Sequence, residues 1–317
     1  MIEVKHLTKA FGRQLAVDDV SFTIGPREVL GFLGPNAAGK STTMRMITGF
    51  LPPTSGTAII GGKDIVADSL SARRKMGYLP ENAPTYPDMT VLGFLEFIAE
   101  IRGFSGAEKS SRIAQTIEKC FLSDVRYQTI NTLSKGFNQR VCFAQSILHN
   151  PEYLIMDEPT DGLDPNQKQE VRTMIRRMSR EKTIVLSTHN LEEVDAVCTR
   201  VIIIDNGKIV ADDTPAELKK RSSAHGSILF RVRNADSEEI EGLGLIGGVD
   251  RIEVLGKEGN ETTVRVYPKD TSKPLAGSIL DHFLGKNCPV ESLFVEEGRL
   301  DDVFRMITSS PEPSVAQ

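Results

Sequence analysis

Residues 34–42 carry the pattern G-x-x-x-x-G-K-[ST], as Gly34, Pro35, Asn36, Ala37, Ala38, Gly39, Lys40, Ser41 and Thr42. A loop of this kind turns successive backbone N–H groups towards a β-phosphate, and a helix N-terminus behind it adds partial positive charge. Lys40 would neutralise the β/γ oxygens, and the Ser41 hydroxyl would hold Mg²⁺. The competing reading is a glycine-rich turn that merely opens a helix. Three further polar groups end apolar runs: Asp157 and Glu158 after residues 153–156, and His189 after residues 183–188. Ser134, Lys135 and Gly136 stand at a helix start, which is a second natural phosphate seat or simply an N-cap.

These groups need elements to position them. Residues 28–33 are an apolar run that reads as a buried strand, and residues 43–47 read as a helix, so strand, loop and helix follow in the order that a phosphate loop requires. Residues 2–24 alternate in short apolar runs and suggest an antiparallel segment. Phe11 within it could stack on an adenine ring, although composition alone favours a strand-core phenylalanine. Open α/β sheets carry their chemistry at the carboxyl ends of strands. Asp157, Glu158 and His189 are therefore expected to converge on Lys40. Asn190, with Glu193 three residues on, reads as a capping box. Residues 201–204 and 208–210, joined through Asp205, Asn206 and Gly207, read as a hairpin. Helical patterns from Thr90 to about Gly103 and over residues 107–121 form an inserted helical lobe.

The 317 residues suffice for two domains, and 39% hydrophobic with 26% charged residues is a globular composition. The net charge of -5 gives no basic field for nucleic acid, so no nucleic-acid partner is expected. No apolar run approaches bilayer-spanning length and the first five residues read as a strand, so a cytoplasmic protein is expected. Cys120, Cys142, Cys198 and Cys288 form no C-x-x-C pair and read as reduced, buried small hydrophobes. The composition shifts at residues 222–226, a linker signal. Beyond it the order reads βαββαβ plus a final helix, a small α+β domain of ferredoxin-like pattern. His225 and His282 are isolated there and read as surface residues. Residues 309–317, with Pro311 and Pro313, read as a disordered tail.

In order, these motifs resemble the nucleotide-binding subunit of an ATP-binding cassette (ABC) transporter over roughly residues 1–220. The signature motif matches as Leu133, Ser134, Lys135, Gly136 and Phe137. The Walker B strand matches as Leu154, Ile155, Met156, Asp157 and Glu158, the D-loop as Gly162, Leu163 and Asp164, and the switch histidine as His189. The resemblance implies a P-loop NTPase cassette, with a RecA-like α/β core, an antiparallel β subdomain and a helical subdomain at about residues 83–150. An accessory domain at 221–308 follows. It also implies ATP and Mg²⁺ as ligands, Asp157 holding Mg²⁺ through water, Glu158 polarising the attacking water and His189 contacting the γ-phosphate. Phe11 becomes the adenine platform. Two cassettes, identical or homologous, would pair head to tail, so that Ser134, Lys135 and Gly136 close over ATP bound to the partner's Lys40.

Residues 80–87 with the Thr90 helix, and residues 298–304, resemble the cassettes that serve a separate permease of the ABC-2 exporter type, which would tether the protein to the inner face of the membrane. Two positions depart from the family pattern. Ala37 replaces a frequent glycine, and binding is expected to survive if its backbone avoids positive φ. Glu81 stands at the Q-loop position; it can accept from Mg²⁺-bound water but cannot donate as an amide does. The alternatives are a non-transport cassette of the translation or DNA-repair class and an ATP-gated adaptor without turnover. The single cassette without a basic patch weighs against the first, and the presence of both Glu158 and His189 against the second.

Overall fold

A computed structural model describes residues 1–81, 84–284, 286 and 288–308. Asn82 and the tail at 309–317 lie outside the described residues. The chain forms two compact units, Met1–Pro215 and Ala216–Gln317. The division falls at the start of the short helix Pro215–Lys220, ahead of the composition shift, because the chain after it already packs in the second unit: Gly298 lies against the Lys219 carbonyl.

The first unit is built on a six-stranded sheet. Its order is Lys208–Asp213, Arg200–Asp205, Val29–Leu33, Thr183–Thr188, Tyr153–Asp157, Met76–Leu79. All neighbours pair in parallel except the first two, which form the Asn206–Gly207 hairpin. Asn206 and Gly207 have φ of 47° and 78°, the positive pair that a two-residue hairpin turn demands. The interior strands are buried on both faces, which explains their unbroken apolar runs. Their side chains alternate between two cores. Leu154, Met156, Ile184 and Leu186 face one that holds the helices Val91–Ile101, Gly106–Lys119, Lys135–Ile147 and Pro165–Ser179. Ile155, Val185, Leu30 and Phe32 face the other, against the helix Lys40–Ile47 and an antiparallel sheet of Gln14–Ile24, Ile2–Phe11, Ser55–Ile60 and Lys63–Asp64. Thr90 starts the lobe as an N-cap, its side chain accepting from the Gly93 N–H.

Register decides where chemistry can occur. Leu33 pairs with Thr188, and Asp157 with Ser187. The next residues, Gly34, His189 and Glu158, therefore emerge at one edge of the sheet, the carboxyl ends of three adjacent parallel strands.

In the second unit, a wholly antiparallel sheet runs Val249–Glu258, Glu261–Pro268, Ile228–Arg233, Val290–Val295. Numbered along the chain this is the order 2-3-1-4, the ferredoxin-like topology that the βαββαβ pattern implies. The helices Ser237–Glu241 and Ala276–Phe283 close one face over Phe230, Val264 and Val266. His225 and His282 each bond a backbone carbonyl, of Glu297 and Glu239 respectively. The four cysteines form no disulfide among the described residues, and Cys198 is only half-buried.

Leu186, fully buried at the centre of the parallel sheet, has no space to refill. Leu186→Ala is expected to destabilise the first unit by about 2–5 kcal/mol, read from denaturant-induced loss of circular dichroism; a loss well below that range would contradict this packing.

Candidate functional site

The loop at residues 34–42 folds tightly because its two glycines admit no side chain. A Cβ on Gly34 would collide with the Ile204 carbonyl, and one on Gly39, at φ 107°, would meet the Ala16 carbonyl at 2.6 Å. Gly39 leads into the helix Lys40–Ile47, which has no side-chain cap and no acidic residue in its first turn. Its N-terminal field is left for an external anion. Ala37 does not avoid positive φ: it sits at 64°. The loop holds an alanine in the left-handed region, at a conformational cost that glycine would not bear.

Lys40 is only 6% exposed. Its Nζ donates to the carbonyls of Gly34 at 2.8 Å and Pro35 at 3.1 Å, and lies 3.7 Å from Glu158 Oε1. Burial pushes its pKa down, while Glu158, Asp157 and Glu81 pull it back up. Glu158 leaves the end of its strand at φ 48°, and its other oxygen meets His189 Nδ1 at 2.9 Å. Asp157 is completely buried. Its Oδ1 accepts from Ser41 Oγ at 3.0 Å and from Ser187 Oγ at 2.5 Å, whereas Oδ2 has no partner. A buried, unpartnered carboxylate oxygen is costly unless a cation or a polarised water serves it.

A cavity of about 540 Å³ gathers these groups. Asn36, Ala37, Gly39, Lys40, Ser41 and Thr42 line one side, and Glu81, Glu158, Asp161 and His189 the other. Gly34 and Pro35 stand behind, as acceptors for Lys40, and Ala38 is buried. The structure thus brings together the loop, Glu81, Glu158 and His189, with Asp157 touching Ser41 beneath them. Sequence reading missed Asp161, Ala16 and Ser187. The first two carry no motif signal, but Ser187 is a polar residue in an otherwise apolar run directly abreast of Asp157. Among the described residues, no group of three or more His, Cys, Asp or Glu is arranged to hold a metal alone. One carboxylate, one hydroxyl and a nearby acid are instead the sparse oxygen set of a Mg²⁺ that keeps its waters and takes further ligands from phosphate.

Other expected site residues lie elsewhere. Phe11 does not line the cavity; it is 51% exposed, with Lys9 Nζ 5.3 Å from its ring centre, so it is not strand core either. Ser134 is the N-cap of the helix Lys135–Ile147, accepting from the Phe137 N–H. Ser134 and Lys135 are exposed, Lys135 lies over Gly162, and Gly136 packs on the Gln167 side chain. Asp164 caps the helix Pro165–Ser179 in a full capping box with Gln167. Asn190 caps its helix through Glu192, not Glu193. Glu193 turns inward and accepts from Thr188 Oγ1 at 2.9 Å; burial raises its pKa, and a buried hydroxyl partner outcompetes a solvated cap.

The ABC transporter family profile matches residues 17–161. The chain is 37% identical over 224 residues to the probable multidrug ABC transporter ATP-binding protein YbhF of Escherichia coli (strain K12); the match covers 70% of this chain and 39% of that protein, so the chain spans well under half of that relative. The daunorubicin/doxorubicin resistance ATP-binding protein DrrA of Streptomyces peucetius is 30% identical over 314 residues, 98% of this chain and 93% of that protein. Among solved structures, a dimeric post-hydrolysis state of the ATP-binding cassette MJ0796, bound to ADP and Pi, matches with a TM-score of 0.62 at 25% identity over 68% of this chain and 98% of that chain.

If Ala37 is strained, Ala37→Gly should raise the thermal midpoint by about 2 °C, and the β-branched Ala37→Val should lower it. A midpoint unmoved or lowered by glycine would remove the strain.

Proposed function

Since the chain belongs to the ATP-binding cassette family of ABC transporters, we propose that it binds and hydrolyses ATP with Mg²⁺, as one of a pair of cassettes driving a separate ABC-2 type export permease. The observation that carries this reading is the meeting of Lys40, Ser41, Glu158 and His189 at one cavity of about 540 Å³, with the buried Asp157, one oxygen unpartnered, bonded to Ser41. The relatives named for multidrug and for daunorubicin/doxorubicin resistance support export over a translation or DNA-repair role.

The residues divide the work. The loop N–H groups and Lys40 hold the triphosphate. Ser41 and Asp157 would hold Mg²⁺, with Glu81 lining the same cavity, and the bound cation would supply neutralisation of the β/γ oxygens. An arriving phosphate competes with Glu158 for Lys40, leaving the Glu158 carboxylate to polarise a water for attack on the γ-phosphorus. His189, hydrogen-bonded to Glu158, orients it and reaches the γ-phosphate. Ser134, Lys135 and Gly136 lie outside their own chain's cavity, which suits action on the ATP of the paired cassette, where Phe11 also offers an exposed ring to an adenine. Among the described residues no helix is long and apolar enough to cross a membrane. In this reading a separate permease holds the protein at the membrane's inner face.

The permease docks in a second cavity of about 580 Å³. Exposed Phe50, Leu70 and Ile101 line it beside Arg73, Arg74 and Arg102, a lining that suits an apolar segment carrying carboxylates. Its wall includes Met76 and Tyr78, on the strand that leads directly to Glu81. Docking is thereby linked to the phosphate cavity.

Lys40→Ala should abolish binding of a fluorescent ATP analogue, and unchanged binding would remove the phosphate-loop assignment. Glu158→Gln should keep ATP bound and yield a dimer by light scattering at saturating ATP; a monomer there would sink the paired-cassette reading. Ile101→Asp should leave ATP turnover by the free protein unchanged and lower permease-stimulated turnover by about tenfold or more. Equal stimulation would exclude the groove as the docking site.

A further inference from the structure

The register that assembles the site also places a hydroxyl with no assigned role. Ser187 is fully buried, on the strand Thr183–Thr188, abreast of Asp157 on one neighbouring strand and of Phe32 on the other. A fully buried position in a parallel strand is ordinarily filled by valine or isoleucine, and a hydroxyl there is costly unless bonded. Ser187 Oγ makes two bonds. It donates to Asp157 Oδ1 at 2.5 Å and accepts from the Glu158 N–H at 3.1 Å, and the same N–H also reaches the Ser187 carbonyl at 3.2 Å.

Each bond restrains something that would otherwise be free. An aspartate carboxyl rotates about a broad, nearly two-fold torsion. With Ser41 and Ser187 both donating to Oδ1, the oxygens become inequivalent, and Oδ2 alone is left without a partner. Glu158, at φ 48°, occupies a conformation that a non-glycine residue keeps only when its surroundings hold it. The two acceptors on Ser187 hold that turn at the Glu158 N–H, at the point where the chain leaves the strand.

We infer that Ser187 is a positioning residue, presenting Asp157 Oδ2 to the divalent cation and fixing the turn that aims Glu158. The inference rests on the proposed roles of Asp157 and Glu158 and adds to them a group that touches neither nucleotide nor cation.

Ser187→Thr and Ser187→Val compare a hydroxyl with a methyl at nearly constant shape. Binding of a fluorescent ATP analogue is titrated in EDTA and across a Mg²⁺ series, alongside steady-state turnover. The valine variant is expected to need about tenfold more Mg²⁺ than the threonine variant for half-maximal enhancement of binding, and to lose about tenfold in kcat. Affinity in EDTA should be the same for both. Equal Mg²⁺ midpoints and equal kcat for the two variants overturn the inference while leaving the ATPase reading intact. Valine losing EDTA affinity in proportion to its Mg²⁺ response also overturns it, because the hydroxyl is then only packing. A wild-type chain whose binding and turnover ignore Mg²⁺ overturns both this inference and the reading beneath it.

Discussion

A single buried ammonium, that of Lys40, sets the terms for the first unit. It is nearly inaccessible, held by two backbone carbonyls, and surrounded by Glu158, Asp157 and Glu81. Burial disfavours its charge and outweighs the opposing pull of the three acids, so its pKa lies below the ordinary lysine value. Two of those carboxylates are in turn tolerated because they find partners: Glu158 in Lys40 and His189, Oδ1 of Asp157 in two hydroxyls. Asp157 Oδ2 is left without a partner. Lys40 against Glu158, Asp157 and Glu81 is a local negative excess that an added triphosphate would deepen, which favours the proposed divalent cation.

The motifs that do not reach this cavity have structural work within their own chain. Ser134 and Asp164 are helix N-caps. The two helices they start are tied together: Arg140 bonds Glu170 while stacking on Phe137, and Gly136 packs on Gln167. Gln139 also donates to the Pro159 carbonyl at 3.0 Å, one residue past Glu158. The helix Lys135–Ile147 and the chain leaving the strand Tyr153–Asp157 are therefore joined by a direct bond. In the second unit, by contrast, the charges pair among themselves: Arg233 with Glu261 and Glu291 on strands of one sheet, and Arg265 with Glu296, one residue past a strand end.

Much of this was legible in the sequence, because it depends on local chemistry. The phosphate loop, the apolar strands ending in Asp157 and Thr188, the Asn206–Gly207 turn and the βαββαβ order each follow from residue type and spacing over a few positions, where sterics and burial leave little choice. Even the convergence of Asp157, Glu158 and His189 on Lys40 was implied, since parallel strands must end at one edge. What the tertiary structure alone decided depends on which distant groups compete for the same atom or space. It put Ala37 at positive φ, between two glycines that pack against the Ile204 and Ala16 carbonyls. It turned Glu193 inward to Thr188 rather than to a cap, and left Phe11 exposed rather than in the core. Above all it set Ser187 against Asp157, 30 residues away in the chain, by a strand register that no single segment encodes.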